Sequence, residues 1–227
     1  RGFNSLNSRL MTKEILIKEL IKDGYLKTPI LVETFQKIDR KDFVPAELQD
    51  EAYGNYPLSI GFGQTISQPL TVAFMLELLG PKPGENILEI GAGSGWQTTI
   101  LAYVVSRKIE DGRQNKGKVT AMERIRELKE MAVKNAAKYD FTREGYVEII
   151  LGDGSKGYPG NAPYDKIIAA AASLDIPPAW KDELKIGGKI VAPVSQSVVV
   201  VSKTSANDFK RQEYFGFSFV PLVSDNG

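Results

Sequence analysis

The sequence predicts an α/β protein in which a doubly wound, mostly parallel sheet carries helices on both faces. From Gly84 onward, short apolar segments alternate with segments of helical length, and this alternation is typical of parallel strands joined by right-handed crossover helices. The segment 165–171 is almost entirely apolar, as expected of a strand that is covered on both faces. Both observations favour a Rossmann-like architecture.

The residues before this alternation predict a helical N-terminal extension. Apolar side chains recur there at helical spacing, and Asp23-Gly24 and Thr28-Pro29 supply a stop signal and a cap. The stretch 44–66 is rich in Pro, Gly, Asn and Tyr, and we expect a long irregular loop of the kind that often serves function. Helices are predicted over 12–22, 29–38 and 69–79.

The remaining residues supply the sheet and its crossover helices. The last two strands follow each other with no room for a helix between them, so they predict a C-terminal antiparallel hairpin. The polar segment 107–117 predicts an exposed loop. Strands are predicted over 86–90, 118–122, 147–151, 165–171, 188–194, 196–204 and 212–222, and helices over 95–106, 124–139 and 178–184.

The length of 227 residues is that of one domain. We expect a single domain that combines a helical, substrate-side segment (1–80) with a ligand-binding α/β core (81–227). Lysine plus arginine number 29 and aspartate plus glutamate 28, so the whole chain has no strong cationic field; nucleic-acid binding is disfavoured, and a local basic patch is the alternative. Without any apolar run of membrane-spanning length or a signal-peptide core, we expect a cytoplasmic protein that binds no membrane.

Cysteine and histidine are both absent. Their absence removes the thiolate nucleophile, the usual general base and the commonest zinc ligands. We therefore expect no metal site, and we expect a reaction, if there is one, that needs no imidazole.

The most informative motif is a predicted strand that runs into Gly91-Ala92-Gly93-Ser94-Gly95 and then into a helix. Glycines let the backbone turn sharply and approach a ligand, with the helix N-terminus directed at it. Glu123 ends the next predicted strand, and a carboxylate there suits a ribose diol. We expect Gly91, Gly93, Gly95 and Glu123 to bind a nucleoside. A tight strand–helix turn without a ligand is the alternative.

The spacing argues against a dinucleotide. The third glycine comes one residue earlier than in the pyrophosphate-binding motif, and Glu89 stands two residues before the first glycine. A carboxylate at that place repels a pyrophosphate and attracts an ammonium or sulfonium cation. Because Arg124 follows Glu123 directly, we expect it to lie against the adenosine.

A second acidic loop, Gly152-Asp153-Gly154, follows the third predicted strand of the core. Its aspartate can accept a hydrogen bond from an adenine amino group, although Asp-Gly is also a common turn. The segment 61–69 (GFGQTISQP) precedes the helix at 69–79. Ser67 fits the N-cap position with proline in the first turn, and a capped helix start can also offer N–H groups and a hydroxyl to an anion.

Taken together, these motifs resemble the protein-L-isoaspartate (D-aspartate) O-methyltransferase family over about residues 12 to 222. The GQTISQP part is discriminating, because methyltransferases in general share the glycine motif. The segments that carry the resemblance are GFGQTISQP, LEIGAGSGWQT, AMERIREL, GDGSKGYPGNAPYDKIIAAAA, LKIGGKIVAPV and FVPL. The resemblance implies the Rossmann-like fold of S-adenosylmethionine-dependent methyltransferases.

The resemblance also implies an activity. A methyl group passes from S-adenosyl-L-methionine to the α-carboxylate of L-isoaspartyl or D-aspartyl residues in damaged proteins and peptides, and S-adenosyl-L-homocysteine remains. By match to the motif, Ser67 takes the active-site serine position and Gln64 lies with it on the substrate side. Thr65 and Ile66 flank the methyl-donor site together with Ser67. We expect a monomer.

This chemistry suits the residue inventory, because a carboxylate is ionised at neutral pH and needs no general base. Three alternatives stay open. One is a small-molecule carboxyl methyltransferase, and another is a non-catalytic nucleoside binder. The third is a nucleic-acid methyltransferase, which is disfavoured because 169–173 (AAAAS) stands where a base-methylating Asn/Asp-Pro-Pro-aromatic loop would lie.

Overall fold

The computed structural model describes residues 11–108 and 116–224. The predicted loop at 107–117 therefore lies for the most part outside the described residues. The helices are α1 (Lys13–Lys22), α2 (Pro29–Lys37), α3 (Pro69–Leu79), α4 (Trp96–Val105), α5 (Arg126–Ala137) and α6 (Pro178–Asp182). The strands are β1 (Leu58–Gly61), β2 (Gln64–Ile66), β3 (Asn86–Ile90), β4 (Lys118–Glu123), β5 (Val147–Leu151), β6 (Tyr164–Ala169), β7 (Leu184–Val194), β8 (Ser197–Lys203) and β9 (Phe209–Phe215).

A seven-stranded sheet with the order β5-β4-β3-β6-β7-β8-β9 forms the centre of the molecule. Neighbours from β5 to β7 pair in parallel, whereas β8 pairs antiparallel with both β7 and β9. The predicted doubly wound fold and its C-terminal hairpin are thus confirmed. The chain builds outward from β3 to β5 and then returns to β6 on the other side of β3. Such a reversal of strand order leaves a crevice at the carboxyl ends of the strands, where ligands bind in this class of fold.

The central strands are buried on both faces. Ile87 and Ile168 belong to one apolar cluster, and Leu88 and Ile167 belong to the other. Successive side chains of a strand point to opposite faces, so the two clusters are the two layers between the sheet and its helices. This double coverage explains why these strands read as nearly continuous apolar runs.

Residues 44–66 do not form the irregular loop that we predict. They contain an antiparallel hairpin of β1 and β2, joined by Phe62-Gly63. Both turn residues have positive φ, 56° and 69°, as a type I′ hairpin turn requires. Phenylalanine is uncommon at a position with positive φ. Because the turn contains neither Asn-Gly nor Asp-Gly, the usual sequence signal of a hairpin is absent.

The predicted strand at 212–222 is also misplaced, because β9 ends at Phe215. Gly216 follows with a φ of 96°, which breaks the extended backbone, and Pro221 lacks the N–H that a ladder needs. The chain beyond Gly216 runs back to the carboxyl edge of the sheet. β7 begins earlier than predicted, at Leu184, and its pairing with β6 is irregular between Tyr164 and Lys166. Most other helix and strand ends agree within about two residues, the usual uncertainty of such boundaries.

Gly95 lets α4 approach α5. It has a φ of 84°, and a Cβ on it would lie 3.0 Å from both the Cα and the carbonyl oxygen of Ala132. We expect Gly95→Ala to lower the free energy of unfolding by about 2–5 kcal/mol, of which left-handed backbone accounts for about 1–2 and overpacking for about 1–3. Urea denaturation measures the loss.

Gly187→Ala is the matched control. Gly187 has a φ of 82°, but a Cβ on it would meet no atom within 4 Å, so only the backbone cost of about 1–2 kcal/mol is expected there. Equal losses in the two variants would contradict the tight contact between Gly95 and α5.

Candidate active site

A cavity of about 380 Å³ lies at the carboxyl edge of the sheet, within the usual size range of small-molecule sites. Its walls come from the loops after β3, β4, β5 and β6, from the segment that joins β2 to α3, and from the tail after β9. The reversal of strand order between β3 and β6 places all of these segments around one crevice. Thus the cavity occupies the position where the fold is expected to bind its ligand.

The loop after β3 is held close to β4. The N–H groups of Gly91 and Ala92 both donate to the carbonyl of Met122, at 2.8 and 3.0 Å. Gly91 and Gly93 line the cavity, whereas Gly95 is absent from its lining and packs against α5. Gly91 and Gly93 therefore lie at the cavity, whereas Gly95 allows α4 to pack closely against α5.

The Glu123 carboxylate lies in the cavity wall and is only 6% exposed. One oxygen accepts the N–H of Gly93 at 2.9 Å, and the other accepts the N–H groups of Arg124 and Ile125 at 2.9 and 3.0 Å. A carboxylate offers about four lone-pair sites, so about one remains for a ligand hydroxyl. The side chain of Arg124 is exposed and also lines the cavity.

Glu89 lies elsewhere than the sequence suggests. It is completely buried and is not among the residues that line the cavity. One carboxylate oxygen accepts a hydrogen bond from the Gln97 amide at 3.0 Å. Burial raises the pKa of the Glu89 carboxyl to about 8, and the neighbouring polar side chains of Thr98 and Gln97 offset this only in part. Its predicted contact with the cation of a ligand stays a prediction.

The loop after β5 contributes its two glycines to the cavity. Gly152 and Gly154 line the wall, whereas Asp153 does not. One Asp153 oxygen accepts the N–H and the hydroxyl of Ser155, at 2.9 and 2.6 Å, so this side chain caps the short turn that follows. The Trp180 indole donates to the Gly154 carbonyl at 2.9 Å and thereby anchors the loop to α6. An adenine contact by Asp153 stays a prediction.

Ser67 is not the N-cap of α3, contrary to the prediction. Gln68 holds that position, and Asn55 supplies the capping oxygen, which accepts the N–H of Leu70 at 3.0 Å. The Gln68 amide in turn donates to the Asn55 carbonyl at 2.9 Å. The Ser67 hydroxyl consequently has no hydrogen-bond partner among the described residues, and Ser67 lines the cavity.

The neighbours of Ser67 divide between the cavity and the apolar core. Gln64 and Thr65 line the cavity, but Ile66 is 4% exposed and belongs to the apolar core. A direct role of Ile66 at the ligand stays a prediction. The hairpin thus presents polar side chains to the cavity and anchors itself through its apolar residue.

Sequence reasoning missed the wall formed by the tail. Residues 218–223 line the cavity together with Ala170 and Ala171. The Ala172 N–H donates to the Val220 carbonyl at 2.8 Å, and the Leu222 N–H donates to the Ala172 carbonyl at 2.7 Å. The available signal was Gly216 followed by Pro221, which forbids a regular strand there.

Over the described ranges, no group of acidic side chains is arranged to hold a metal ion. None of the helices in those ranges has the length and apolar character that crossing a membrane demands.

Fold and cavity together define a Rossmann-like protein of the S-adenosylmethionine-dependent methyltransferase class. The profile of the protein-L-isoaspartate (D-aspartate) O-methyltransferase family matches residues 11–227. Protein-L-isoaspartate O-methyltransferases from Methanopyrus kandleri and Hyperthermus butylicus are each 42% identical to this chain, covering 95% and 93% of it and 92% and 88% of their own lengths. The chain belongs to this family.

A solved structure supports the fold independently. A putative protein-L-isoaspartate O-methyltransferase from Plasmodium falciparum, in complex with S-adenosyl-L-homocysteine, superposes with a TM-score of 0.80. The match covers 93% of this chain and 97% of that one, at 21% identity.

The buried Glu89 carboxyl predicts a pH dependence of stability. Its pKa of about 8 in the folded protein lies above the ordinary 4.5, so the folded state binds the proton more tightly, and stability is lost as the pH rises through this window. We expect the wild type to lose about 1.4 kcal/mol per pH unit relative to Glu89→Gln between these values. Denaturant titrations from pH 5 to about 8 measure the difference.

Glu148→Gln is the control, because the hydrogen bond from Lys118 holds the pKa of Glu148 below its usual range. This variant should keep the wild-type slope over the same window. A Glu89→Gln protein with an unchanged slope would show that this carboxyl does not titrate there.

Proposed function

We propose that this protein is a repair enzyme that transfers a methyl group from S-adenosyl-L-methionine to the α-carboxylate of L-isoaspartyl and D-aspartyl residues in damaged proteins. The observation that carries the proposal is that Ser67, whose hydroxyl has no hydrogen-bond partner among the described residues, lines the same cavity as Glu123. Membership of the family supports the substrate class. Ser67 is assigned as the active-site serine, and Gln64 as its neighbour on the substrate side.

The donor-side wall fits this cofactor. A carboxylate and glycine backbone suit a ribose diol and a cationic donor better than a pyrophosphate. We assign Gly91, Gly93, Glu123, Arg124 and the loop 152–154 to this part of the cavity, with Thr65 beside it. When bound, S-adenosyl-L-methionine supplies an electrophilic methyl group on a cationic sulfur.

The residues of the chain need not move a proton. An aspartate-type carboxylate has a pKa of about 4, so the acceptor is ionised before it enters the cavity. The absence of histidine and cysteine is therefore no handicap for this reaction. Ser67 donates its hydroxyl hydrogen to one carboxylate oxygen and leaves the other directed at the methyl group.

Alignment and exclusion of water remain as the main contributions of the protein. Well-oriented reactants can gain about 7–11 kcal/mol over free encounter. The tail at 218–223 closes one wall, and its two backbone hydrogen bonds to Ala172 hold it against the end of β6. Thus the hairpin, the glycine loop and the tail enclose the reacting groups from three sides.

We further propose that the enzyme acts as a monomer, with 1–80 and 81–227 forming one domain, and that it works in the cytoplasm. Residues of both 1–80 and 81–227 line the cavity, which supports a single domain. The cytoplasmic location follows from the sequence expectation for a chain without cysteine.

The substrate class is tested with labelled S-adenosyl-L-methionine and four acceptors. These are an isoaspartyl peptide, the same peptide with normal aspartate, a small dicarboxylic acid and an RNA. We expect base-labile label on the isoaspartyl peptide alone, because an ester on a carboxylate hydrolyses in base. Label on the small acid alone would support a small-molecule carboxyl methyltransferase, and label on the RNA would contradict the proposal.

The role of Ser67 is tested with Ser67→Ala. We expect turnover to fall about 100-fold, since misplacing a reacting group by an ångström costs this much, while the dissociation constant of the donor changes little. Methyl-transfer kinetics and isothermal titration measure the two quantities. Ser59→Ala in β1, an exposed serine of the same hairpin, is the control and should stay at the wild-type rate. Unchanged turnover in Ser67→Ala would remove the serine from this role.

A further inference from the structure

Arg40 is a buried cation that pairs with no acidic side chain of the described residues. Its residue is 2% exposed, and among the described residues its guanidinium makes no salt bridge. Burial lowers its pKa to about 10, so the side chain still carries its charge at neutral pH. A buried charge is costly unless hydrogen bonds satisfy it, so the burial of Arg40 depends on its hydrogen-bond acceptors.

Those partners are four backbone carbonyls of the substrate-side segment. One terminal nitrogen donates to the carbonyls of Ala52 and Gly54, at 2.7 and 3.2 Å. The other donates to the carbonyls of Tyr56 and Ser67, each at 3.1 Å. The guanidinium thus joins the start of the segment 52–67 to its end, across the whole β1–β2 hairpin.

The last of these acceptors belongs to Ser67, which lines the cavity. The hydrogen bond fixes the main chain of Ser67, whereas the Ser67 hydroxyl has no partner among the described residues. In the same place the guanidinium lies 5.4 Å from the centre of the Trp96 ring. Trp96 is the first residue of α4 and follows Gly95 directly, so one side chain contacts both the substrate-side segment and the donor-side helix.

We propose that Arg40 is the positioning residue that sets Ser67 for methyl transfer. It is absent from the cavity lining, so it acts through the backbone of Ser67 and touches neither reactant. Only a planar guanidinium offers enough donors in a rigid fork to hold four carbonyls and to lie on an aromatic ring, and a lysine ammonium has three. The proposal rests on the proposed function for its kinetic consequence, but the positioning itself is measurable without any activity.

The experiment compares Arg40→Lys with the wild type in the isoaspartyl peptide assay. We expect kcat to fall about 10–100-fold, as for a displaced reacting group, while the donor dissociation constant stays within about threefold, since all four hydrogen bonds of Arg40 go to residues 52–67. Arg40→Gln, which retains an amide donor, is the second variant where the lysine variant does not fold.

Tyr164→Phe is the matched control for lost stability. Tyr164 is also buried, and its hydroxyl donates to a backbone carbonyl, that of Tyr158, at 2.6 Å, but it lies at the amino end of β6, away from the cavity. Well below its melting temperature, this variant should keep the wild-type kcat. If Arg40→Lys and Tyr164→Phe behave alike at equal stability, Arg40 is merely structural.

A double-mutant cycle with Ser67→Ala separates positioning from general damage. If Arg40 acts through Ser67, Arg40→Lys should lower kcat by less than about threefold in the Ser67→Ala background, because residues that act as a unit are not additive. The same factor in both backgrounds would overturn the proposal.

Hydrogen–deuterium exchange distinguishes failure of this proposal from failure of the proposed function. We expect about tenfold faster exchange over 52–67 in Arg40→Lys, with unchanged protection in β3 and β6, since local opening reports the lost carbonyl bonds. Unchanged exchange over 52–67 overturns the positioning role whatever the activity. A wild-type protein that fails to methylate the isoaspartyl peptide would instead overturn the proposed function.

Discussion

The Glu123 carboxylate is the contact on which the donor side of the cavity depends. It accepts the N–H of Gly93 from the loop after β3 and those of Arg124 and Ile125 from the loop after β4. One acidic side chain therefore holds together two loops that the topology brings side by side. Since both oxygens are satisfied by fixed backbone donors, the carboxylate is oriented before any ligand arrives, and such preorganisation avoids an ordering cost on binding. The atoms that hold the two loops together are thus the ones that we propose for the ligand.

The substrate side is organised by a different kind of interaction. Between α2 and α3, four backbone carbonyls outside the β1–β2 hairpin accept hydrogen bonds from one side chain. Arg40 donates to all four, and Asn55 caps α3. Because Arg40 and Asn55 make the hydrogen bonds that the backbone requires here, the Ser67 hydroxyl does not have to make one of them. Ser67 therefore does not cap α3, and its hydroxyl is available for the role that we propose at the substrate.

The chemistry fits this division of the site. An acceptor that is already anionic and a donor that is cationic attract each other without acid–base assistance, so the chain does well without histidine. The reaction requires alignment of the two reactants and exclusion of water. The glycine loop gives close approach, the hairpin places a hydroxyl, and the tail pairs with Ala172 to complete the wall. Family membership and the superposable fold agree with this assignment.

The sequence by itself determined the sheet, the crossover helices, the glycine loop and Glu123, because these depend on local periodicity and on positive φ at defined residues. The acidic loop predicted Gly152 and Gly154 on the ligand side, and the family resemblance implied Gln64, Thr65 and Ser67 there; all five line the cavity. Tertiary structure alone decided that Glu89 is fully buried and does not line the cavity, that Asn55 rather than Ser67 caps α3, and that the tail after Gly216 returns to the site. The carbonyl partners of Arg40 likewise cannot be predicted from the sequence. The reason is physical: periodicity reports which residues are apolar, whereas the partner of a buried polar group is fixed by contacts between residues far apart in the chain.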